Sequence, residues 1–169
     1  MGDRQPRLIG HWPLNTDMPS KTQIPQTLLD DIHAHVEAAY PEESAGLLLG
    51  RTDNGLRVIT AIMTLPNARE KSARHNRYLI TSRDMLHGER EAMKRGLDII
   101  GVFHSHPDHP NHPSAFDREW AMPWFSYLIT SVQNGRAAGT RSWRLTDDRS
   151  KFEEEELQVE TNKRNEMRR

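Results

Sequence analysis

LDIIGVFHSHPDHPNHPSAFD, residues 97–117, joins an apolar run to a loop rich in histidine and proline, and its reading decides the fold. Residues 97–103 read as a buried strand that delivers the chain directly into His104 and His106. One residue apart at a strand end, the two imidazoles point the same way and reach one ion. Pro107, Pro110 and Pro113 preclude regular structure until Ser114, which caps a short helix running to about Trp120. Asp117 falls on the first turn of that helix, where a carboxylate is favoured. Two imidazoles and one carboxylate without a thiolate suit a catalytic zinc whose fourth position stays open for water. His109 and His112 read as exposed residues of a mobile loop, 107–113, at the entrance to this site. His11, His33, His35, His75 and His87 read as surface or helix-face residues.

Upstream, Leu28, Ile32, Val36 and Tyr40 recur four apart, with Leu29 and Ala39 on the same face, which predicts an amphipathic helix ended by Pro41. AGLLLG (45–50) and LRVITAIM (56–63), separated by the DNG turn at 53–55, predict a hairpin. A polar connection over 64–76 leads to RYLIT (77–81), read as another strand. Ser82 is the expected N-cap of a second helix through Met85, Leu86, Glu89, Ala92 and Met93, closed by Gly96. Downstream, SYLITSV (126–132), an NG turn and TRSWRLT (140–146) predict a second hairpin. FEEEELQVETNKRNEMRR adds one edge strand before a charged tail. The alternation predicts an α/β sandwich, a mixed sheet with a helix on each side and the site beyond the strand ends. Residues 1–23 read as a flexible N-terminal arm, 24–160 as the single domain and 161–169 as the tail.

At 169 residues the chain has the length of one domain. Lys and Arg total 23 against 24 Asp and Glu, so no general cationic field exists for a nucleic-acid backbone or an anionic membrane. No membrane span and no secretion signal is read, so the expected location is the cytoplasm. Zero cysteines exclude a disulfide framework, a thiol nucleophile and thiolate metal sites. Any metal is held by nitrogen and oxygen.

The string HSHPDHPNHPSAFD, preceded by YPEESAGLLLG (40–50), resembles the signature of the MPN+/JAMM zinc metallopeptidases, which cleave ubiquitin-like proteins from what is joined to their C-terminus. The resemblance covers about residues 24–160. It implies an MPN (JAMM) domain with a mixed, mostly antiparallel sheet flanked by helices, cytidine-deaminase-like in architecture. It implies that His104, His106 and Asp117 hold Zn2+, that Glu43 is the general acid and base, and that Ser114 helps stabilise the oxyanion. The adjacent Glu42 is read as a surface charge. The compact length, PWFSYLITSV and SWRL with FEEEEL look most like bacterial peptidases acting on sulfur-carrier proteins. The implied partner is a ubiquitin-like or sulfur-carrier protein ending in Gly-Gly.

Carrier–cysteine hydrolysis, trimming of a carrier's C-terminal extension and deconjugation from protein lysines need the same five residues. An iron(II) facial triad uses the same ligand types but leaves Glu43 and Ser114 unexplained. A non-catalytic scaffold is the binding-protein rival, and all five residues stand against it. Arg and Lys residues of 69–77 read as solvated charges, and Trp120 and Trp124 as helix-face packing.

Overall fold

The computed structural model describes residues 20–161. Strand β1 (Lys21–Pro25) runs into helix α1 (Gln26–Ala39), whose Leu29, Ile32 and Val36 are buried at the spacing of one helical face. β2 (Ala45–Asp53) and β3 (Leu56–Leu65) form the expected hairpin; Asn54 and Gly55 both take positive φ, as a two-residue primed turn requires. α2 (Ser82–Lys94) precedes β4 (Asp98–Pro107), which leads to α3 (Ala115–Trp120). β5 (Ser126–Gln133), β6 (Arg136–Leu145) and β7 (Phe152–Glu160) complete the chain.

The strands follow the order β1-β3-β2-β4-β5-β6-β7 and close into a barrel. This corrects the expected open sandwich. Four neighbouring pairs are antiparallel and three (β1 with β3, β1 with β7, β4 with β5) are parallel. Closure depends on two strands that the sequence reading undervalued. β7 is no edge: it pairs with β6 through 152–155 and with β1 through 156–160. β1 crosses the boundary expected between residues 23 and 24. The rest of the expected arm, and the tail from residue 162, lie outside the described residues.

Alternation along β2 separates the core into two parts. Leu48 joins Ile59, Ile100, Phe103 and Leu128 around the apolar face of α1, while Leu47 and Leu49 join Val102, Ile129, Trp143 and Ala92 of α2. Gly46 is required by the first part, because a Cβ there would lie 2.3 Å from the Phe103 ring.

Two local expectations fail for identifiable reasons. The N-cap of α2 is Thr81, not Ser82: Thr81 and Asp84 form a reciprocal capping box one residue earlier in the chain. Residues 77–81 are extended without joining a sheet, since Asn67 takes the bonds a neighbouring strand would make. Its side-chain amide donates to Arg77 O (2.9 Å) and its oxygen accepts from Leu79 N (3.2 Å).

At one end of the barrel the Glu155 carboxylate of β7 is buried among donors from four other strands and Ser20. Arg57 Nη1 donates at 3.0 Å, Thr22 at 3.0 Å, Ser126 at 2.7 Å and Ser142 at 2.9 Å, and Ser20 also donates. Leaving Arg57 buried without its counter-charge costs about 3 kcal/mol or more. E155Q is therefore expected to lower the unfolding free energy by about that amount in urea denaturation; a loss below about 1 kcal/mol would show that closure does not depend on this carboxylate.

Candidate metal centre

β4 carries both histidines because it runs four residues past its expected end at 103 and stays paired through them: His104 lies opposite Ile129 and His106 opposite Ser131 of β5. Pleating sends Phe103 and Ser105 to the α1 side and both imidazoles to the other. α3 returns Asp117 to them. His104 Nε2 lies 3.1 Å from Asp117 Oδ1 and His106 Nε2 lies 3.3 Å from Oδ2, with 3.2 Å between the two nitrogens. Among the described residues these three form the group able to hold a metal, each buried, with ligand atoms all within 4.8 Å of one another.

The donor set fits a cation. His106 Nδ1 is 2.8 Å from Pro110 O, a carbonyl that only accepts, so Nδ1 carries a proton and Nε2 is the nitrogen turned toward Asp117. His104 is wholly buried and its Nδ1 has no partner among the described residues. Burial lowers its pKa below the usual imidazole value, whereas at His106 burial is outweighed by the Asp117 carboxylate and the Pro110 carbonyl, which raise the pKa. The Asp117 carboxyl is held well below the usual carboxylate range: burial opposes its charge, but His104 and His106 and the Ser114 N–H outweigh burial. The Nε2 atoms of two imidazoles and a carboxylate thus converge away from water, a donor set that suits a divalent ion with N and O preference.

Glu43 is buried directly before β2, and burial pushes its carboxyl up to about 8 against the opposing influence of His106 and Arg77. Its backbone is fixed at both ends: Glu43 N donates to Arg74 O at 2.6 Å and Glu43 O accepts from Asn67 at 2.9 Å. The next residue, Ser44, bonds to Ser105 in both directions, N to Oγ and O to N, each 3.0 Å. Glu42 is half-buried and makes no side-chain bond to the group.

Ser114 caps α3 as expected. Its Oγ accepts from Asp117 N at 3.1 Å and donates to Asp117 Oδ2 at 2.8 Å, so the hydroxyl is anchored on the carboxylate it would serve beside.

The loop after the histidines, expected to be mobile, is tied to the barrel by hydrogen bonds. Successive carbonyls at 109, 110 and 111 accept from Ser131 Oγ (2.7 Å), His106 Nδ1 (2.8 Å) and Trp143 Nε1 (2.9 Å). Asp108 takes positive φ and accepts from Tyr40 Oη (2.7 Å) and Asn134 N (2.9 Å). His109 and His112 are exposed, and His112 lies 3.2 Å from Arg141 Nη1.

The sequence reading passed over Tyr78, whose ring stacks on His104 at 4.6 Å between centroids. It also passed over Ser105, Asn67, Ser131 and Trp143. Only Ser105, between two candidate ligands on a strand, had a position that could have marked it. The charges of 69–77 are not simply solvated: Arg69 and Arg77 lie over the Phe116 ring at 5.2 and 4.8 Å. Trp120 neighbours Phe116 on the face of α3, whereas Trp124 lies beyond the helix; both remain largely exposed, at 58% and 63%.

Comparison with known proteins follows this geometry. Residues 25–146 match the family described as prokaryotic homologs of the JAB domain. A Thermus thermophilus protein named as a probable TtuB-protein conjugate cleaving protease is 29% identical over 117 residues, 68% of this chain and 72% of that one. A solution structure from Salinibacter ruber is 40% identical, with TM-score 0.65 over 82% of this chain and 91% of that one. One from Desulfitobacterium hafniense is 29% identical, with TM-score 0.73 over 83% and 94%. A JAB1/MPN domain protein from Archaeoglobus fulgidus, 22% identical with TM-score 0.55 over 83% and 99%, shares the fold. With the match spanning most of the barrel and both histidines, the chain belongs to the family of prokaryotic homologues of the JAB domain.

Proposed function

We propose that the protein is a zinc-dependent peptidase that hydrolyses the bond after the C-terminal Gly-Gly of a small ubiquitin-like sulfur carrier. The observation that carries this reading is the buried convergence of His104, His106 and Asp117 beside a buried, separately anchored Glu43. His104, His106 and Asp117 hold the metal. A zinc ion held there would supply Lewis acidity toward the scissile carbonyl and would lower the pKa of a bound water to ~7.

Glu43 receives the proton of the attacking water and delivers it to the leaving nitrogen as the C–N bond breaks, leaving a carboxylate and a free amine. Burial suits it to both roles, since a carboxyl with a raised pKa binds and releases a proton near neutrality. The Ser114 hydroxyl, whose own acceptor site is filled by Asp117 N–H, turns its proton toward the developing oxyanion. Tyr78 and the Pro110 carbonyl keep the imidazoles in place. Glycines before the cleaved bond let an extended backbone pass close to the ion.

The relative named for cleaving TtuB conjugates supports a ubiquitin-like partner. Its name also favours a second reading, release of such a modifier from protein lysines, by the same residues. Among the described residues no helix is long and apolar enough to cross a membrane, which accords with action on a cytoplasmic carrier. The catalytic unit in this reading is the domain from residue 24 to 160, extended to include β1.

The decisive experiment is mass spectrometry of TtuB bearing a C-terminal extension, and of TtuB joined to a lysine side chain, after incubation with the zinc-loaded protein. Cleavage after Gly-Gly is expected. Intact substrates of both kinds would overturn the peptidase reading. D117A is expected to lose metal by elemental analysis and to lose all turnover; full zinc content in D117A would move the ligand role to His109 or His112. E43Q is expected to retain zinc while turnover falls by about 10² or more, with E42Q nearly silent. Exchange of these two phenotypes would shift the acid by one residue.

A further inference from the structure

The segment after Asp117 leaves three large apolar side chains in water: Trp120 is 58%, Met122 43% and Trp124 63% exposed. Ala121 between them and Phe125 just after them are buried, so the exposed residues share the outer side of one short stretch. Their exposure is not looseness of the backbone. Arg149 donates to Arg118 O (3.3 Å), Glu119 O (3.0 Å) and Ala121 O (2.8 Å). Arg144 donates to Pro123 O and Arg57 to Trp124 O, each at 3.2 Å, and Met122 N donates to Tyr127 Oη at 2.7 Å. Three arginines from separate parts of the barrel thus fix a ridge whose side chains contribute little to the core. Rigid aromatic anchors held in water are the form in which binding hot spots are built, because little conformational entropy is lost when they are covered.

The ridge starts at the candidate active site. Asp117 and Trp120 share α3, and Phe116 lies 6.1 Å from Trp120 between ring centroids. Arg69 and Arg77 stand over Phe116, and Arg77 also acts on Glu43. Arg118 lies on the same helix, between Asp117 and Glu119 in the chain, and donates to Ser150 O at 3.0 Å. The ridge is therefore apolar along its length and cationic at the end next to the site.

We propose that Phe116, Trp120, Met122 and Trp124 form the docking surface for the folded body of the ubiquitin-like carrier, through a carrier face that is apolar and bordered by carboxylates. The proposal rests on the peptidase reading above, and on the ridge adjoining Asp117 through α3. A second copy of the chain is the less suitable occupant. A two-fold contact through the ridge would cover the site that lies beside it.

The test uses W120A and W124A, with melting temperatures checked against the parent protein. With TtuB carrying a short C-terminal extension, KM is expected to rise about tenfold or more in each variant while kcat stays within about twofold. The free peptide of the same tail and extension lacks the folded body, so its kcat/KM should fall far less. Calorimetric titration of TtuB into E43Q, and into E43Q combined with W124A, reads docking without turnover, and the second is expected to bind at least about tenfold more weakly. Equal losses on carrier and peptide, equal TtuB affinity with and without Trp124, or wild-type dimerisation abolished by W120A in sedimentation would each overturn the assignment. A wild-type protein that cleaves neither substrate would sink the peptidase reading instead, and the E43Q titrations would still decide the docking surface.

Discussion

The site depends on one pairing: Ser44 against Ser105, two backbone-anchored bonds of 3.0 Å between the start of β2 and the residue that separates the two histidines. Ser105 points away from the imidazoles, as pleating demands, and uses that orientation to hold the backbone next to Glu43. The acid and the metal-binding pair are therefore set by the same register. A slip of one residue between β2 and β4 would turn Glu43 from the site and exchange Ser105 for a histidine in the α1 core. Gly46 beneath Phe103 and Leu48 opposite Gly101 fix that register by packing, since each permits only one partner at its level.

Around this pairing, most polar groups serve two purposes. Asp117 completes the capping box of a six-residue helix too short to be stable alone and supplies the only carboxylate of the metal-binding group. Ser114 holds the other half of the box. The Pro110 carbonyl sets the His106 tautomer and is itself fixed because its neighbours at 109 and 111 are tied to β5 and β6. Prolines stiffen this loop, but the barrel determines where it lies. That division explains how a segment without regular structure orients a candidate ligand on the strand before it.

At the opposite side of the architecture, the Arg57–Glu155 network secures β7 and β1, and Arg57 reaches on to Trp124 O. The closure of the barrel and the placement of the exposed ridge thus share a side chain. Arg144 and Arg149 extend this arrangement, so the aromatic residues are presented by the same scaffold that positions Asp117. Net charge near zero conceals this local cationic field, because the arginines of the ridge and of 69–77 are balanced by acids on β7 and elsewhere.

The sequence by itself determined the helices, both hairpins, β4 and the five site residues as candidates, because each carries its signal locally. Four-residue apolar spacing specifies α1; Asn-Gly specifies the turn at 134–135; His104 and His106 share a face through strand period alone. Only the tertiary structure decided what depends on distant partners. KTQIP has no apolar alternation and a proline, and it becomes a strand because β3 and β7 both need a neighbour. RYLIT has strand composition and stays outside the sheet because Asn67 satisfies its backbone. FEEEELQVE reads as a solvated edge, yet Glu155 is buried by donors from four other strands that no local pattern announces. Trp120 and Trp124 could not be placed from spacing, since α3 ends at Trp120 and the chain beyond it is directed by arginines remote in sequence. Short-range periodicity fixes which face a residue occupies on its own element; whether that face meets core, partner or water is set by elements that the periodicity does not encode.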